Sequence, residues 1–292
     1  MRDLVEAVVD PDDARLRPYR DLKDSALRRS KELAEGIFVV EGRLALEAVL
    51  ASPYPLVSAL VLDRRLAALA DLCLPVEVPV YVVGDDVMAG VAGFDVHRGL
   101  LGTARRLPPA EPADLLGAGS RLLVVIEGVN DQENLGAIFR NAAAFGAGGV
   151  LLDPTCADPL YRRSVRVSLG HVLKVPFARL APWPAALALV QQQGYCLLAL
   201  TPAARAEPLE VACSALDGQK VAIVVGAERD GLSPGVLEAC RPVRIDMAPG
   251  VDSLNVAAAT AVALHRFAAL GPPVLGSPAL RWAPRRDVPY DG

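Results

Sequence analysis

The chain has 292 residues, 52% of them apolar and 22% charged, with a formal net charge of −4. That apolar content can fill a sizeable core and excludes a mainly disordered chain; the length suits one large domain or two ordinary ones. The acidic balance excludes a global basic field, so any hold on nucleic acid has to come from local basic patches. The five cysteines, Cys73, Cys156, Cys196, Cys213 and Cys240, are scattered and contain no C-x-x-C pair. They read as free thiols in a reducing cytoplasm, without a disulfide framework or zinc site. His97, His171 and His265 lie far apart, so no metal-ligand spacing is present. The leading MRDLVEAVVDPDD is acidic and lacks an apolar stretch, and no apolar run reaches membrane-spanning length. The expectation is a cytoplasmic protein with no membrane segment and no metal.

Along the chain, residues 1–20 are charged and proline-interrupted and read as an extended N-terminal arm. SALRRSKELAEG, from Ser25, reads as a helix closed by Gly36. IFVVEG then reads as a strand, RLALEAVLAS as a helix, VSALVLD as a strand, RRLAALADL as a helix, VPVYVVG as a strand and DDVMAGVAG as a short helix. This alternation over residues 21–103 describes a small α/β domain. Residues 104–120, rich in Pro, Ala and Gly, read as a linker. A second α/β domain follows over residues 121–271. Its strands are expected at Leu122–Ile126, Gly149–Leu152, Tyr195–Leu200, Val221–Val225 and Val243–Met247. Its helices are expected at Leu135–Phe145, Pro184–Gln193, Ser233–Ala239 and Val256–Leu270. Continuous apolar strands point to a parallel sheet covered on both faces. The last helix is apolar almost all round, which predicts deep burial, in the core or against a second subunit. Residues 272–292, with their PP, SP, AP and VP dipeptides, read as an irregular tail.

Open α/β sheets bind ligands at the carboxyl ends of their strands. Three segments stand at such ends: residues 127–146, residues 226–233 and residues 245–261. In the first, Asn134 is placed to cap a helix starting at Leu135, and Gly136 and Arg140 share a helical face. Arg140 sits in an apolar run, and a guanidinium buried there needs an acceptor, either a phosphate or a core carboxylate. In the second, Gly226 allows close backbone approach to a ligand and Gly231 can take a positive φ. Glu228 is free to accept hydrogen bonds from a ligand or from its own turn. In the third, one of Ser253 and Asn255 can cap the helix beginning at Val256, leaving the other to face a ligand. No G-x-G-x-x-G follows the Leu122–Ile126 strand and no P-loop is present, which speaks against a nicotinamide-dependent Rossmann enzyme.

Together the three segments resemble the signature motifs of the SpoU/TrmH family of RNA ribose 2′-O-methyltransferases, within the SPOUT class. Asn134, Gly136 and Arg140 match its N-x-G-x-x-x-R motif. Gly226, Glu228, Gly231 and Leu232 match G-x-E-x-x-G-L. Ile245, Met247, Ser253, Leu254, Asn255 and Val256 match I-P-M followed by S-L-N-V, with Asp246 where proline is usual and Ala257 where serine is frequent. The resemblance implies a C-terminal trefoil-knotted, mostly parallel sheet with helices on both faces, joined to a smaller N-terminal α/β domain that binds RNA. It implies S-adenosylmethionine as cofactor, lined by Leu200, Thr201, Gly226, Ile245, Ser253 and Leu254. It assigns Arg140 the catalytic role, as general base or as phosphate clamp, with Asn134, Glu228, Ser253 and Asn255 around it. It implies a homodimer through the C-terminal domain. RNA contacts are expected from Arg162 and Arg166, and from Arg28, Arg29 and Lys31 unless those three form only a solvated face. The implied activity is methylation of a ribose 2′-hydroxyl in ribosomal RNA. The alternatives are a transfer RNA target or a non-catalytic RNA-binding protein on the same fold.

Overall fold

The computed structural model describes residues 5–23, 25–93, 96 and 99–268. They divide into two compact units. Unit 1 takes the chain as far as Pro108 and again over Leu160–Leu173; unit 2 takes Pro109–Pro159 and the chain from Lys174.

Unit 1 is built from β1 (Val5–Ala7), α1 (Ser25–Ala34), β2 (Ile37–Glu41), α2 (Arg43–Leu50), β3 (Leu56–Leu62), β4 (Val80–Val83), α3 (Asp85–Ala92) and β5 (Leu100–Arg105). Its five-stranded sheet runs β1-β4-β3-β5-β2; β1, β4 and β3 are mutually parallel, and β5 is antiparallel to both neighbours. Residues 5–20 are not a loose arm. β1 forms an edge strand, and a 3-10 turn over Ala14–Tyr19 drives Leu16 and Tyr19 fully into the core beside Leu60 and Leu101. The Tyr19 hydroxyl and Ser58 Oγ hydrogen-bond at 2.6 Å in that core, and burial pushes the phenol well above its usual range. Aromatic and leucine side chains here are worth about 2 kcal/mol each when buried, which outweighs the local charge that suggested an extended lead-in. The end of β5 also occupies the start of the expected linker.

After unit 1's first passage come α4 (Pro112–Gly117), β6 (Leu122–Ile126), α5 (Gln132–Ala144) and β7 (Val150–Leu152) of unit 2. α4 buries Leu115 and Leu116, so the remaining expected linker is helical at its centre. The chain then returns to unit 1, where α6 (Arg162–Val167) packs on β2. Gly170 closes this excursion at φ +79°; a Cβ there would lie 2.1 Å from that of Ala48, so only glycine fits.

The rest of unit 2 is β8 (Phe177–Arg179), α7 (Leu187–Gln192), β9 (Tyr195–Leu200), β10 (Glu207–Pro208), α8 (Leu209–Ala215), β11 (Lys220–Val225), α9 (Pro234–Ala239), β12 (Arg241–Arg244) and α10 (Val256–Ala268). The seven-stranded sheet is parallel throughout, in the order β10-β12-β9-β11-β6-β7-β8. β11 is inserted between β6 and β9, and β12 between β9 and β10, so the carboxyl ends of β9, β11 and β12 lie side by side. All five residues of β6 are buried, as are the last five of β11, the pattern expected of strands covered on both faces.

β12 stops at Arg244, short of the expected Met247. Both of its partners end there: β9 at Leu200, with Val243 paired to it, and β10 at Pro208, paired with Arg244. α5 starts earlier than expected, because its cap is Asp131 and not Asn134: Asp131 Oδ1 accepts from the N–H groups of Glu133 (2.8 Å) and Asn134 (2.9 Å). α10 buries Val256, Ala257, Thr260, Ala263 and Leu264 on one face, while Val262 stays 41% exposed. It packs along α5, where Asn141 Nδ2 donates to the Ala257 carbonyl at 2.8 Å and Phe145 meets His265 edge-on. The expected helix end at Leu270 and the tail 272–292 lie outside the described residues. Among the described residues no helix is long and apolar enough to cross a membrane.

Candidate active site

The three motif segments leave the sheet at β6, β11 and β12, all at the same edge because the strands are parallel. The Asp131 cap starts α5 so that Asn134 stands in its first turn. From there Asn134 Nδ2 donates to Glu228 Oε1 at 2.7 Å. Asn255 Nδ2 donates both to Asn134 Oδ1, at 2.8 Å, and to Glu228 Oε1, at 2.9 Å. Asn255 Oδ1 meanwhile accepts from the N–H groups of Ala257 (3.0 Å) and Ala258 (3.2 Å), which makes it the N-cap of α10. The cap consumes the amide oxygen, so the Asn255 amide nitrogen has to face Asn134 and Glu228. One residue from each segment thereby enters a closed polar ring. Of the two cap candidates, Asn255 serves α10 and Ser253 stays exposed in the preceding loop.

The turn bearing Glu228 folds on itself. A Cβ on Gly226 would lie 2.4 Å from the Gly231 carbonyl carbon, and the Gly231 N–H donates to Ala227 O at 3.0 Å. Gly231 has the expected positive φ, +65°. Gly226 therefore makes a close approach to its own turn. Glu127, at the end of β6, anchors that turn from behind. It is 8% exposed; its Oε1 accepts from Trp183 Nε1 and Ser233 Oγ, both at 2.7 Å, and its Oε2 from the Ser233 N–H at 2.8 Å. Sequence reasoning missed Glu127 and Trp183. The only local signal was an acidic residue closing an apolar strand, and a partner 56 residues away leaves no pattern.

The remaining expected cofactor positions sit at the adjoining strand ends. Leu200 ends β9, and the Thr201 N–H donates to Val243 O at 2.9 Å. Ile245 follows β12. The loop beyond it exposes Val251 (48%) and Leu254 (41%). Among the described residues, the N–H groups of Ser253 and Leu254 have no hydrogen-bond acceptor within the chain.

Arg140 is exposed, which corrects the expectation of a buried guanidinium. α5 turns Leu135, Ile138, Phe139 and Ala142 inward, and Arg140 falls on the other face. Neither a core carboxylate nor any other described side chain pairs with it.

The basic residues expected to meet RNA separate into two kinds, all in unit 1. Arg29 is exposed. Arg28 is only 3% exposed, with its guanidinium 3.6 Å from the Tyr161 ring centroid and its Nε 3.7 Å from Glu32. Lys31 Nζ donates to the carbonyls of Arg17 (3.0 Å) and Arg20 (2.9 Å), and burial lowers its pKa. Both Arg28 and Lys31 are thus internal ties of unit 1, because α1 presents that face to the turn before it. Arg162 pairs with the buried Glu41; Arg166 lies 3.8 Å from the same carboxylate and is 42% exposed.

A parallel sheet whose carboxyl-edge loops are tied by two amides and a carboxylate defines an α/β protein with its ligand site at that edge. The model of the SpoU rRNA Methylase family matches residues 121–265. A Mycobacterium tuberculosis protein named as an uncharacterized tRNA/rRNA methyltransferase is 45% identical over 262 residues, 89% of this chain and 91% of that one. The Vibrio cholerae 23S rRNA (guanosine-2′-O-)-methyltransferase RlmB is 31% identical over 244 residues, 80% of this chain and 95% of that protein. A crystal structure of an RNA 2′-O ribose methyltransferase aligns with a TM-score of 0.70 at 27% identity, covering 90% of this chain and 98% of its own. The AdoMet-bound rRNA methyltransferase from Sinorhizobium meliloti shares the fold at a TM-score of 0.74 and 23% identity, covering 90% and 97%. The chain belongs to the SpoU rRNA methylase family, as a tRNA/rRNA methyltransferase.

Proposed function

We propose that this protein transfers a methyl group from S-adenosylmethionine to a ribose 2′-hydroxyl, in ribosomal RNA. The observation that carries the reading is the Asn134–Glu228–Asn255 ring, which joins all three motif segments at one sheet edge. RlmB, which is named as a guanosine-2′-O-methyltransferase of 23S rRNA, supports the choice of atom and of RNA class.

The residues present fit the cofactor. The exposed Leu254 and Val251 offer apolar surface for a purine, and the Ser253 and Leu254 N–H groups offer donors for its polar edge. Leu200, Thr201, Gly226 and Ile245, at the adjoining ends of β9, β11 and β12, would hold the rest. When bound, the group supplies an electrophilic methyl on a sulfonium. That methyl would pass to the ribose 2′-oxygen, leaving a neutral thioether, with the hydroxyl proton released to solvent water. Arg140 acts here as a clamp on the RNA phosphate, through bidentate hydrogen bonds, and as a stabiliser of the developing oxyanion. Asn134, Glu228, Ser253 and Asn255 orient the ribose beside it. The sheet order, with β11 and β12 each inserted between earlier strands, supports a trefoil knot. The exposed Val262, midway along α10, supports a homodimer through unit 2. In this reading unit 1 contributes to RNA binding.

The test is methyl transfer to ribosomal and transfer RNA, read as methylated nucleosides by mass spectrometry. 2′-O-methylnucleosides in ribosomal RNA are expected. Methylation confined to a base sinks the ribose assignment, and methylation confined to transfer RNA sinks the choice of RNA. Arg140→Ala is expected to slow transfer by about 100-fold or more while cofactor affinity by calorimetry stays unchanged.

A further inference from the structure

Arg244 closes β12, and its guanidinium is shared between two loops of unit 2. Nη1 donates to the carbonyl of Ala206, in a close hydrogen bond, and to that of Ala204, at 3.4 Å. Both carbonyls belong to residues 201–206, the loop that leaves β9. Nε donates to Asp246 Oδ1 at 2.9 Å, at the start of the loop that runs from β12 to α10. The first loop has order of its own: the Ala203 N–H donates to Thr201 Oγ1 at 3.4 Å and the Ala206 N–H to Ala203 O at 2.9 Å. Arg244 thus fastens an ordered turn after β9 to the first residues after β12.

The strands themselves are held without it. β10 and β12 share a ladder, and Arg241 Nε donates to Glu207 Oε2 at 2.8 Å across that pair. What Arg244 adds lies beyond the strand ends, where Leu200, Thr201 and Ile245 stand. A guanidinium suits the task because its fork presents several donors at fixed angles, so one side chain can serve two loops at once. The two halves of the tie differ in strength. The Asp246 side chain is 65% exposed, so that ion pair is screened by water and modest. Ala206 is 2% exposed, so water replaces the bond to its carbonyl poorly. Asp246 stands where the resembled motif carries proline, whose ring stiffens the chain by itself. Here a side-chain bond to Arg244 supplies the restraint.

We propose that Arg244 is a positioning residue for S-adenosylmethionine. It sets the loop after β9 against the loop after β12, and Asp246 is its partner in the second. Arg244 acts through the loops and does not itself hold the cofactor, because its donors are spent on Ala204, Ala206 and Asp246. The proposal rests on the reading of this sheet edge as the cofactor site.

The experiment compares the full chain with Arg244→Met, Asp246→Ala and the double variant, each checked for its melting temperature. Three quantities are read: trypsin cleavage after the exposed Arg205 without cofactor, by mass spectrometry; the Kd of S-adenosylmethionine, by calorimetry; and KM for the cofactor beside kcat. Arg244→Met keeps an apolar stem and loses every donor. It is expected to speed cleavage after Arg205 about tenfold and to raise Kd and KM about tenfold, with kcat at saturating cofactor within about twofold of the parent. Asp246→Ala is expected to raise Kd about threefold, and to add nothing once Arg244 is gone. A folded Arg244→Met with parent-like Kd overturns the proposal, whatever the cleavage rate, and so does a fall confined to kcat. An Asp246→Ala effect that persists in full beside Arg244→Met overturns the pairing. Should Arg244→Met fail to fold, Asp246→Ala decides, and an unchanged Kd there overturns the proposal. A parent that binds no S-adenosylmethionine sinks the functional reading and this role with it, a result distinct from a parent that binds and variants that match it.

Discussion

At the scale of single residues, what matters most is which polar atoms are already committed. Asn255 spends its oxygen on the α10 cap, so its nitrogen is committed to Asn134 and Glu228. Asn255→Ala would remove a cap and two ring bonds together. It is expected to cost about 1 kcal/mol of stability and to lower kcat more than tenfold, checked by thermal unfolding beside a transfer assay. Gly226→Ala is a different kind of lesion. The added Cβ would meet the backbone of Gly231 at 2.4 Å, and backbone cannot yield as a flexible side-chain end can. About 2 kcal/mol or more of destabilisation is expected, together with weaker cofactor binding; a parent-like melting curve would contradict the turn geometry. The thiols supply a test of burial. Cys73 is exposed, whereas burial pushes Cys156 and Cys240 up to about 12 and also raises Cys196 and Cys213. The thiolate is the reacting form, so at pH 8 the folded protein should show one fast thiol toward a disulfide reagent, and five once unfolded.

At the scale of elements, strand and helix cores were legible where the signal was long and apolar. β6 and β9 follow from LLVVI and YCLLAL, because uninterrupted apolar runs bounded by turn residues have few other uses. Ends were less legible. Both Asp131 and Asn134 are good capping residues, and only the hydrogen bonds to Asp131 decide between them. Asp131→Ala is expected to cost about 1 kcal/mol in thermal unfolding and to loosen Asn134, which stands in the turn that Asp131 starts. Short elements such as β8 and β10, of 3 and 2 residues, carry no period to read. They exist because a neighbouring strand offers a ladder. The ring of motif residues was legible as a set of candidates, since each is polar, at a strand end and next to a glycine or a helix start. The anchoring of the second motif by Glu127 was not, because its partners come from distant parts of the chain.

At the scale of the molecule, the chain leaves unit 2 at Leu160 and rejoins it at Lys174, so residues that read as part of the second domain belong to the first. Hydropathy could not reveal this, as Val165 and Leu173 would be equally content in either core. Under the proposed dimer, sedimentation at micromolar concentration is expected to give twice the chain mass, and Val262→Asp on the exposed side of α10 to shift it toward the monomer. A parent that sediments as a monomer would remove that part of the proposal. By itself the sequence determined the α/β class, most of the parallel strands and the three motif segments, because local propensity, apolar patterning and motif spacing are written in consecutive residues. Only the tertiary structure decided that Arg140 faces outward, that Arg28 and Lys31 tie unit 1 together and that Gly226 serves its own turn. Those outcomes depend on which face each element turns to neighbours remote in sequence, and on which donors and acceptors meet there.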